Sequence, residues 1–182
     1  MKTGNRRAGW KTGGQPHCRP GEDPRVSDYR SLLDLAAYIR STDDDKRLAA
    51  LLCETALRLT HAQDAAVYRF PRKNGKAVWL TRLAWQGEHA LPERIPAREP
   101  HVELLAEHGK AVVQLTREGP FPKLLLRRNA ASALAVYLEA ARSARLVLVI
   151  NSRVPYHFTG THIELIEYLS RLIRTSRGET HG

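Results

Sequence analysis

Two pairs of apolar runs constrain the fold of this chain more than any other feature. Residues 131–139 and 145–151 are short, mostly apolar, and separated by only a few residues. Residues 65–70 and 77–85 form a similar pair around the Asn-Gly dipeptide at 74–75, which favours the tight turn of a β-hairpin. Two successive hairpins predict an antiparallel β-sheet, because each strand pairs with its neighbour in the chain.

Helical patterns flank these hairpins. Apolar residues recur at helical spacing over 29–39 and over 48–59, and Thr42, with three aspartates after it, is predicted to cap the second helix. A closing helix is predicted to begin at its N-cap Thr159 and to end before Gly178. Helices at both ends of the chain can cover one face of the sheet, so we expect an α+β domain.

The middle of the chain is expected to cover the opposite face of the sheet. Residues 87–100 contain three prolines and are predicted as a loop. A short helix is predicted from Pro100 to Gly109, whose glycine suits the C-cap, and a strand over 111–115 follows it. A further helical turn is predicted over 123–128. These segments would leave a pocket between the sheet and the loops.

The first 26 residues differ from the rest in composition. They are rich in Gly and Pro and carry six basic residues against two acidic ones. Because such a segment buries too little apolar surface to fold, we expect a flexible basic tail over 1–26, a folded domain over 27–178 and a short tail over 179–182. The 182 residues together have a formal net charge of +10, which indicates a basic surface and does not specify the fold.

Targeting signals and cysteine usage bear on the compartment. No apolar run approaches the roughly 18 residues of a membrane span, and the basic N-terminus lacks the apolar segment of a signal peptide. The two cysteines, Cys18 and Cys53, cannot form a disulfide framework and are typical of a reducing compartment. We therefore expect a cytoplasmic protein with no membrane contact. Cys53 lies beside the apolar stripe of the second helix and is predicted to be a buried structural thiol.

The order and spacing of these elements resemble a GAF domain over about residues 32 to 172. The resemblance is carried by the two opening helices, the first strand, the central hairpin and the segment leading into the closing helix, at 32–60, 65–70, 131–150 and 155–167. The turn of the central hairpin departs from the family pattern because it lacks glycines. The resemblance implies a GAF-like antiparallel sheet with the N- and C-terminal helices on one face and loops or short helices over a pocket on the other.

The same resemblance implies a regulatory function. GAF domains bind small molecules such as cyclic nucleotides, haem or bilins, or serve as dimer contacts in signal transduction. We therefore expect a non-catalytic sensory domain. Because only a few residues follow the closing helix, either the domain acts on a separate output protein or the chain is a fragment of a longer protein. The sequence identifies no cofactor. A haem- or nucleotide-binding sensor is the first alternative, and a free methionine sulfoxide reductase or a nucleic-acid-binding regulator comes after it.

Residue types count against the last two alternatives and against catalysis. Free methionine-(R)-sulfoxide reductases, a catalytic GAF subfamily, place several cysteines around the pocket, and this chain has none after Cys53. Covalent bilin attachment also usually needs a pocket cysteine. The arginines 171, 174 and 177 are spaced along one helix face, but glutamates dilute that face and no zinc-finger spacing is present. Because no nucleophile or phosphate-loop motif occurs either, we expect no enzymatic activity.

Candidate ligand contacts come from the central hairpin and the mid-chain elements. Alternate residues of the 131–139 strand share one face, and the small ones would leave room beside the sheet. The same small residues could instead allow a helix to pack closely, and the pattern leaves both readings open. His101 and His108 lie two helical turns apart and are the first histidines to test for haem. The predicted ligand contacts are Tyr68, His101, Arg127, Ala133, Ala135 and Tyr137.

Surplus apolar residues on the first and last helices favour a homodimer. A helix that packs only on its own sheet needs one apolar face, and Leu33 lies off the apolar stripe of its helix. A second apolar contact is typical of a helical bundle between subunits. The predicted dimer interface consists of Leu32, Leu33, Ala36, Leu169 and Leu172.

Overall fold

The structure is a computed structural model that describes residues 32–38, 44–71, 79–88, 90–96, 105, 108–113, 129–139 and 144–178. The predicted tails at 1–26 and 179–182 lie outside these residues, as do the Asn-Gly turn at 74–75 and the helical turn at 123–128.

Within the described ranges, six antiparallel strands form one sheet in the order β3-β2-β1-β6-β5-β4. Both predicted hairpins are confirmed, because β1 pairs with β2 and β5 pairs with β6. Pairing of β1 with β6, in which Tyr68 stands opposite Val147, joins the two hairpins at the centre. The strands are β1 Asp64–Pro71, β2 Trp79–Gly87, β3 Arg94–Pro96, β4 Lys110–Val113, β5 Ser132–Glu139 and β6 Ala144–Ser152.

The short strand β3 corrects the prediction of a continuous loop over 87–100. Its three residues pair with β2, with Ile95 opposite Leu80, and Ile95 is its buried residue. A strand this short carries no visible alternation, and Pro96 is tolerated because it ends a strand at the sheet edge. The predicted C-cap at Gly109 is confirmed: its φ is +77° and its N–H donates to the carbonyl of Leu105 at 2.9 Å.

Helical residues 32–38 form α1, and Asp45–Thr60 and Gly160–Gly178 form α2 and α3. The N-cap of α2 is Asp44, which corrects the prediction of Thr42. The Asp44 Oδ1 accepts hydrogen bonds from the N–H groups of Lys46 at 2.9 Å and Arg47 at 3.3 Å. An aspartate one residue before the helix satisfies the end N–H groups and also complements the helix dipole, whereas Thr42 lies too far upstream.

The prediction that Thr159 caps the closing helix is confirmed, because its hydroxyl accepts from the N–H of His162 at 3.3 Å. Within the described part of the chain, no helix is both long enough and apolar enough to cross a membrane.

Helices α1, α2 and α3 pack on one face of the sheet, which is called the proximal face below. Their buried residues include Leu35 of α1, Leu52 of α2 and Leu169 of α3, in one cluster with Leu134 and Leu148 of the sheet. Burial of this apolar surface is the main stabilising term of the domain. The architecture is therefore the predicted α+β arrangement, with the terminal helices on a single face.

Cys53 of α2 is fully buried in the proximal core, as the helical pattern predicted. Its neighbours in that core include Val67 of β1. Burial raises the pKa of the Cys53 thiol to about 12, and a backbone hydrogen bond involving Val67 opposes the rise. The side chain is therefore a neutral thiol that packs as a small apolar group.

Candidate functional site

Four of the six predicted ligand residues lie on the sheet face turned away from the helices, which is called the distal face. Tyr68, Ala135 and Tyr137 belong to a second apolar cluster there, and Ala133 shares their face by strand alternation. His101 and Arg127 lie outside the described residues. Since α2 and α3 pack on the proximal face, the alanines of β5 do not serve close packing by those helices.

The distal face is partly covered by residues that connect the strands. Leu91, Ile95 and Leu105 are buried in the distal cluster. Leu105 is a helical residue of the mid-chain segment, and Leu91 precedes β3. The prediction that mid-chain elements cover this face is therefore confirmed for these residues.

Tyr68 ties the sheet to this cover. Its hydroxyl donates to the carbonyl oxygen of Pro92 at 2.9 Å, and the ring is fully buried. Burial raises the pKa of the Tyr68 phenol, with the nearby Arg82 guanidinium acting in the opposite direction. Arg82 in turn donates to the carbonyl of Leu91 and lies 3.8 Å from a carboxylate oxygen of Glu93. Tyr68 therefore forms a wall of the distal face and its hydroxyl already has a partner.

A polar pair that the sequence analysis did not single out lies at one end of the distal face. Asp64 of β1 stands directly opposite Asn151 of β6, and Asn151 stands opposite Ala133 of β5. By alternation, both polar side chains share a face with Ala66 and Val149. Asp64 is 0% exposed and Asn151 is 1% exposed. The sequence carries a signal for Asn151: in the alternating pattern of β6, this amide stands at a position where an apolar residue is expected.

The amide of Asn151 lacks the hydrogen bonds that a buried polar group normally has. Neither its Nδ2 nor its Oδ1 has a hydrogen-bond partner within the described structure. The neighbouring Asp64 differs, because its Oδ1 accepts from the N–H of Glu88 at 2.9 Å. An unsatisfied buried group destabilises a fold by roughly 1–3 kcal/mol. Such a group in a native protein calls for an explanation, and a ligand group is one.

Gly87 allows Asp64 to sit where it does. Gly87 stands opposite Asp64 in the sheet and has a φ of +133°, a conformation that residues with a side chain rarely adopt. A Cβ at this position would lie 2.6 Å from the Asp64 Oδ1 and closer still to the carbonyl oxygen of Gln63. The glycine therefore leaves the space that the Asp64 carboxylate occupies.

A second candidate is a cavity of about 270 Å³ at the β4 edge of the sheet, between β4, β5 and α3. An ion pair between Lys110 and Glu167 crosses it, and the Ser170 hydroxyl donates to the Tyr137 carbonyl at 3.2 Å. The charged side chains of this ion pair are each at least one-third exposed, so water competes for any ligand here. Its lining consists of His108, Gly109, Lys110, Val136, Tyr137, Glu167, Ser170 and Arg171.

The predicted dimer residues divide into two groups. Leu32, Ala36 and Leu169 are buried within the chain itself, and Leu172 packs partly against the proximal core. Leu33 is 65% exposed. The apolar stripe of α1 therefore serves the chain's own core, and of the five residues only Leu33 remains largely available to a partner.

Three histidines gather where α2 and α3 approach each other, but they form no metal centre. The His157 Nε2 lies 2.6 Å from the Thr60 carbonyl, and the His162 Nδ1 lies 3.2 Å from the His157 carbonyl. Burial lowers the pKa of His162, and the charges of His157 and His61 contribute in the same direction. Among the described residues, no group of three or more His, Cys, Asp or Glu side chains is placed to hold a metal ion.

Comparisons with known proteins identify the fold. No family model and no curated protein matches the sequence. The free methionine-R-sulfoxide reductase of Neisseria meningitidis, solved with its substrate, superposes with a TM-score of 0.68 at 16% identity, covering 87% of this chain and 92% of that one. A putative GAF sensor protein from Burkholderia vietnamiensis gives 0.65 at 18% identity, with coverages of 88% and 94%.

The GAF domain of an Acinetobacter phosphoenolpyruvate-protein phosphotransferase gives a TM-score of 0.65 at 15% identity, with coverages of 85% and 95%. Identities this low carry the fold and not the activity. The chain therefore has a GAF-like fold, as its strand and helix order predicted.

Proposed function

We propose that this chain is a non-catalytic sensory domain that binds a small molecule on the distal face of its sheet. It acts in cytoplasmic signal transduction as a homodimer with a separate output protein. The observation that carries the proposal is the buried Asn151, whose amide has no partner within the described structure. The fold agrees, because a GAF sensor protein is among the similar structures.

We prefer the distal face to the edge cavity because of its buried polar group. Ala66, Ala133 and Ala135 have small side chains there, and all three are covered by other residues of the chain, so a ligand enters only when part of that cover is displaced. Asn151 lies beside Ala133 and offers both a donor and an acceptor. Buried polar groups among apolar neighbours give a ligand both affinity and orientation. In the edge cavity, by contrast, Lys110 already pairs with Glu167.

The position of Cys53 supports a non-catalytic function. The similar Neisseria structure belongs to a reductase, so the fold permits that reaction in that protein. In this chain Cys53 belongs to the proximal core, on the opposite side of the sheet from Asn151. Its pKa of about 12 also disfavours the thiolate that thiol chemistry requires. We expect no dithiothreitol-dependent reduction of free methionine-R-sulfoxide by the purified protein.

The exposed Leu33 supports the homodimer. Its side chain lies off the buried apolar stripe of α1 and is 65% exposed, so it offers an apolar surface to a partner. Leu33→Glu should lower the light-scattering mass to that of a monomer while the circular dichroism spectrum shows that the domain is still folded. A matched control is the adjacent exposed Asp34, because Asp34→Ala changes the same helix turn without adding a charge. An unchanged mass for Leu33→Glu would remove this contact from the proposal.

Thermal unfolding tests ligand binding. The protein as isolated should melt at a higher temperature than the same protein after unfolding in guanidinium, dialysis and refolding, because a ligand that binds only the folded state stabilises it. The fraction below 1 kDa from the dialysis should restore the higher value. Equal melting temperatures in all three samples would contradict the proposal.

A further inference from the structure

We infer that the His162 imidazole is a pH-sensitive cap of α3, which holds the first turn of the helix when the ring is neutral and releases it when the ring is protonated. This conformational device lies at the end of the domain where α2 stops and α3 begins. It does not use the proposed ligand site, so either proposal can fail without the other.

The neutral form of His162 completes a reciprocal cap. The N–H of His162 donates to the Thr159 hydroxyl at 3.3 Å, and the N–H of Thr159 donates to the His162 Nδ1 at 3.4 Å. Reciprocal hydrogen bonds between the N-cap and the third residue of a helix form a capping box, in which Glu or Gln usually takes the second position. The ring nitrogen can accept the Thr159 N–H only when that nitrogen carries no proton.

A second contact of the same nitrogen requires the opposite protonation state. The His162 Nδ1 also lies 3.2 Å from the carbonyl oxygen of His157, and it can bond to that oxygen only as an N–H donor. The protonated ring has a hydrogen on both nitrogens, so it keeps the contact with His157 and loses the hydrogen bond from Thr159. Protonation of one atom therefore decides which of two partners it holds.

The charges around His162 oppose its protonation. The ring lies at the N-terminal end of α3, where the helix dipole disfavours a cation, and the first turn contains no acidic residue. Two neighbouring charges act on it: that of His61, the C-cap of α2, and that of His157, whose ring stacks on it with 5.6 Å between the centroids. Glu164, the nearest acid along α3, is exposed. Burial and the two histidine charges lower the pKa of His162, so the ring is neutral at pH 7.

The rest of α3 limits the release to its first turn. Ile166, Leu169 and Ile173 are fully buried in the proximal core and hold the helix from its second turn onward. Ile163 packs only partly against that core, and its N–H donates to the Thr159 carbonyl at 3.1 Å. Acidification should therefore open residues 159–163 while the domain stays folded.

Amide hydrogen exchange followed by NMR between about pH 7.5 and about pH 5 tests the inference, with the imidazole ¹⁵N signals of His162 reporting its tautomer and protonation. Protection factors, which remove the intrinsic pH dependence of exchange, are compared for the N–H groups of His162 and Ile163. The internal control is the start of α2, where the N–H groups of Lys46 and Arg47 donate to a carboxylate of Asp44. Aspartate side chains ordinarily titrate below this pH range.

At the upper pH we expect an unprotonated Nδ1. As the ring is protonated, the protection of the His162 and Ile163 amides should fall by about fivefold, the effect of losing one N-cap contact, while Lys46 and Arg47 keep theirs. His162→Gln supplies an acceptor that does not titrate and should keep the start of α3 protected throughout. His61→Asn removes a neighbouring charge at a left-handed position that asparagine tolerates, so it should keep the transition and move it to higher pH.

A proton on Nδ1 of the neutral ring would overturn the inference, because the Thr159 N–H would then have no acceptor there. Protection that stays constant while His162 is protonated would overturn it too, as would the same loss of protection in His162→Gln. A ring that stays neutral down to about pH 5 would also overturn it, because the release requires protonation of the folded protein. The melting comparison of the isolated and refolded protein decides the proposed function separately.

Discussion

Replacing Asn151 with valine should stabilise the ligand-free protein. Valine already occupies positions 147 and 149 on the same face of β6, so the substitution continues an existing pattern and suits a strand. It removes a buried amide whose two polar atoms have no partner in the described structure. Most substitutions of a fully buried residue are destabilising, so a gain in stability has diagnostic value here.

The size of the expected stabilisation follows from the missing hydrogen bonds of the Asn151 amide. An unsatisfied buried polar group destabilises by roughly 1–3 kcal/mol, and Asn151→Val relieves that penalty while keeping most of the side-chain volume. We therefore expect the free energy of unfolding to rise by about 1–3 kcal/mol. For a domain of this size, each kcal/mol shifts the melting temperature by roughly 2–4 °C, so the melting temperature should rise by about 2 to 12 °C.

Chemical denaturation of the dialysed protein measures the free energy of unfolding, and calorimetry measures its melting temperature. Asn151→Asp is the matched control: it has the same size but places a charge opposite Asp64 at a buried position, and it should destabilise strongly. If Asn151→Val instead lowered the free energy of unfolding by about 1–3 kcal/mol, the amide would be making structural hydrogen bonds. Asn151 would then not be free to bind a ligand.

Three further predictions test other parts of the structure. Gly87→Ala should lower the free energy of unfolding by more than about 2 kcal/mol, because the φ of Gly87 is +133° and an added Cβ would overlap Asp64. Gly160→Ala is the control, and it should change the free energy of unfolding by less than about 1 kcal/mol because the space around Gly160 is open. Equal denaturation midpoints for the two variants would contradict this prediction. The pKa of His162 is lowered on folding, so the unfolded chain binds its proton more readily and stability should fall as the pH drops below about 6.5. His162→Gln should flatten that slope in pH-dependent denaturation, and an unchanged slope would count against it. In a Cys18→Ser chain, Cys53 should react with a thiol reagent at pH 8 only after unfolding, because it is buried and its pKa is about 12; rapid labelling of the native protein would show that the proximal core opens.

Elements that depend on local pattern were predictable from the sequence. The alternation of apolar residues predicts the β5–β6 hairpin, and helical spacing with the N-cap Thr159 predicts α3. The structure confirms the hairpin, the helix and the cap. The strand β3 was not predictable, because three residues cannot display a period and its pairing with β2 is a tertiary contact. The N-cap of α2 was not predictable either. Thr42 and Asp44 are both good N-cap residues, and only the position at which the helix starts decides which of them caps it.

The candidate site was predictable only in part, because the burial of its residues also depends on tertiary packing. Alternation places Ala133, Ala135 and Tyr137 on one face, but it does not say which face the helices cover. That assignment needs the packing of α2 and α3 against the sheet. Asn151 was missed because its burial depends on the strands on both of its sides. One of them, β1, is distant in the sequence, and the other, β5, runs antiparallel to β6. A polar residue at an apolar position of the alternation is the signal that could have found it.

The predicted dimer residues illustrate how one sequence pattern can serve two purposes. An apolar stripe on a terminal helix looks the same whether it faces a partner or the chain's own sheet. The structure places Leu32 and Leu169 in the proximal core, while Leu33 remains exposed. The homodimer therefore stays a prediction that depends on Leu33.

Native mass spectrometry of the freshly purified protein, with Asn151→Val measured alongside, decides whether Asn151 holds a ligand. We expect the unmodified protein to carry a small-molecule mass above that of its 20.5 kDa chain, one per subunit. We expect the Asn151→Val protein, though more stable, to carry none. The same retained mass in both proteins would contradict the assignment of the ligand to Asn151, and a bare mass in both would contradict ligand binding itself.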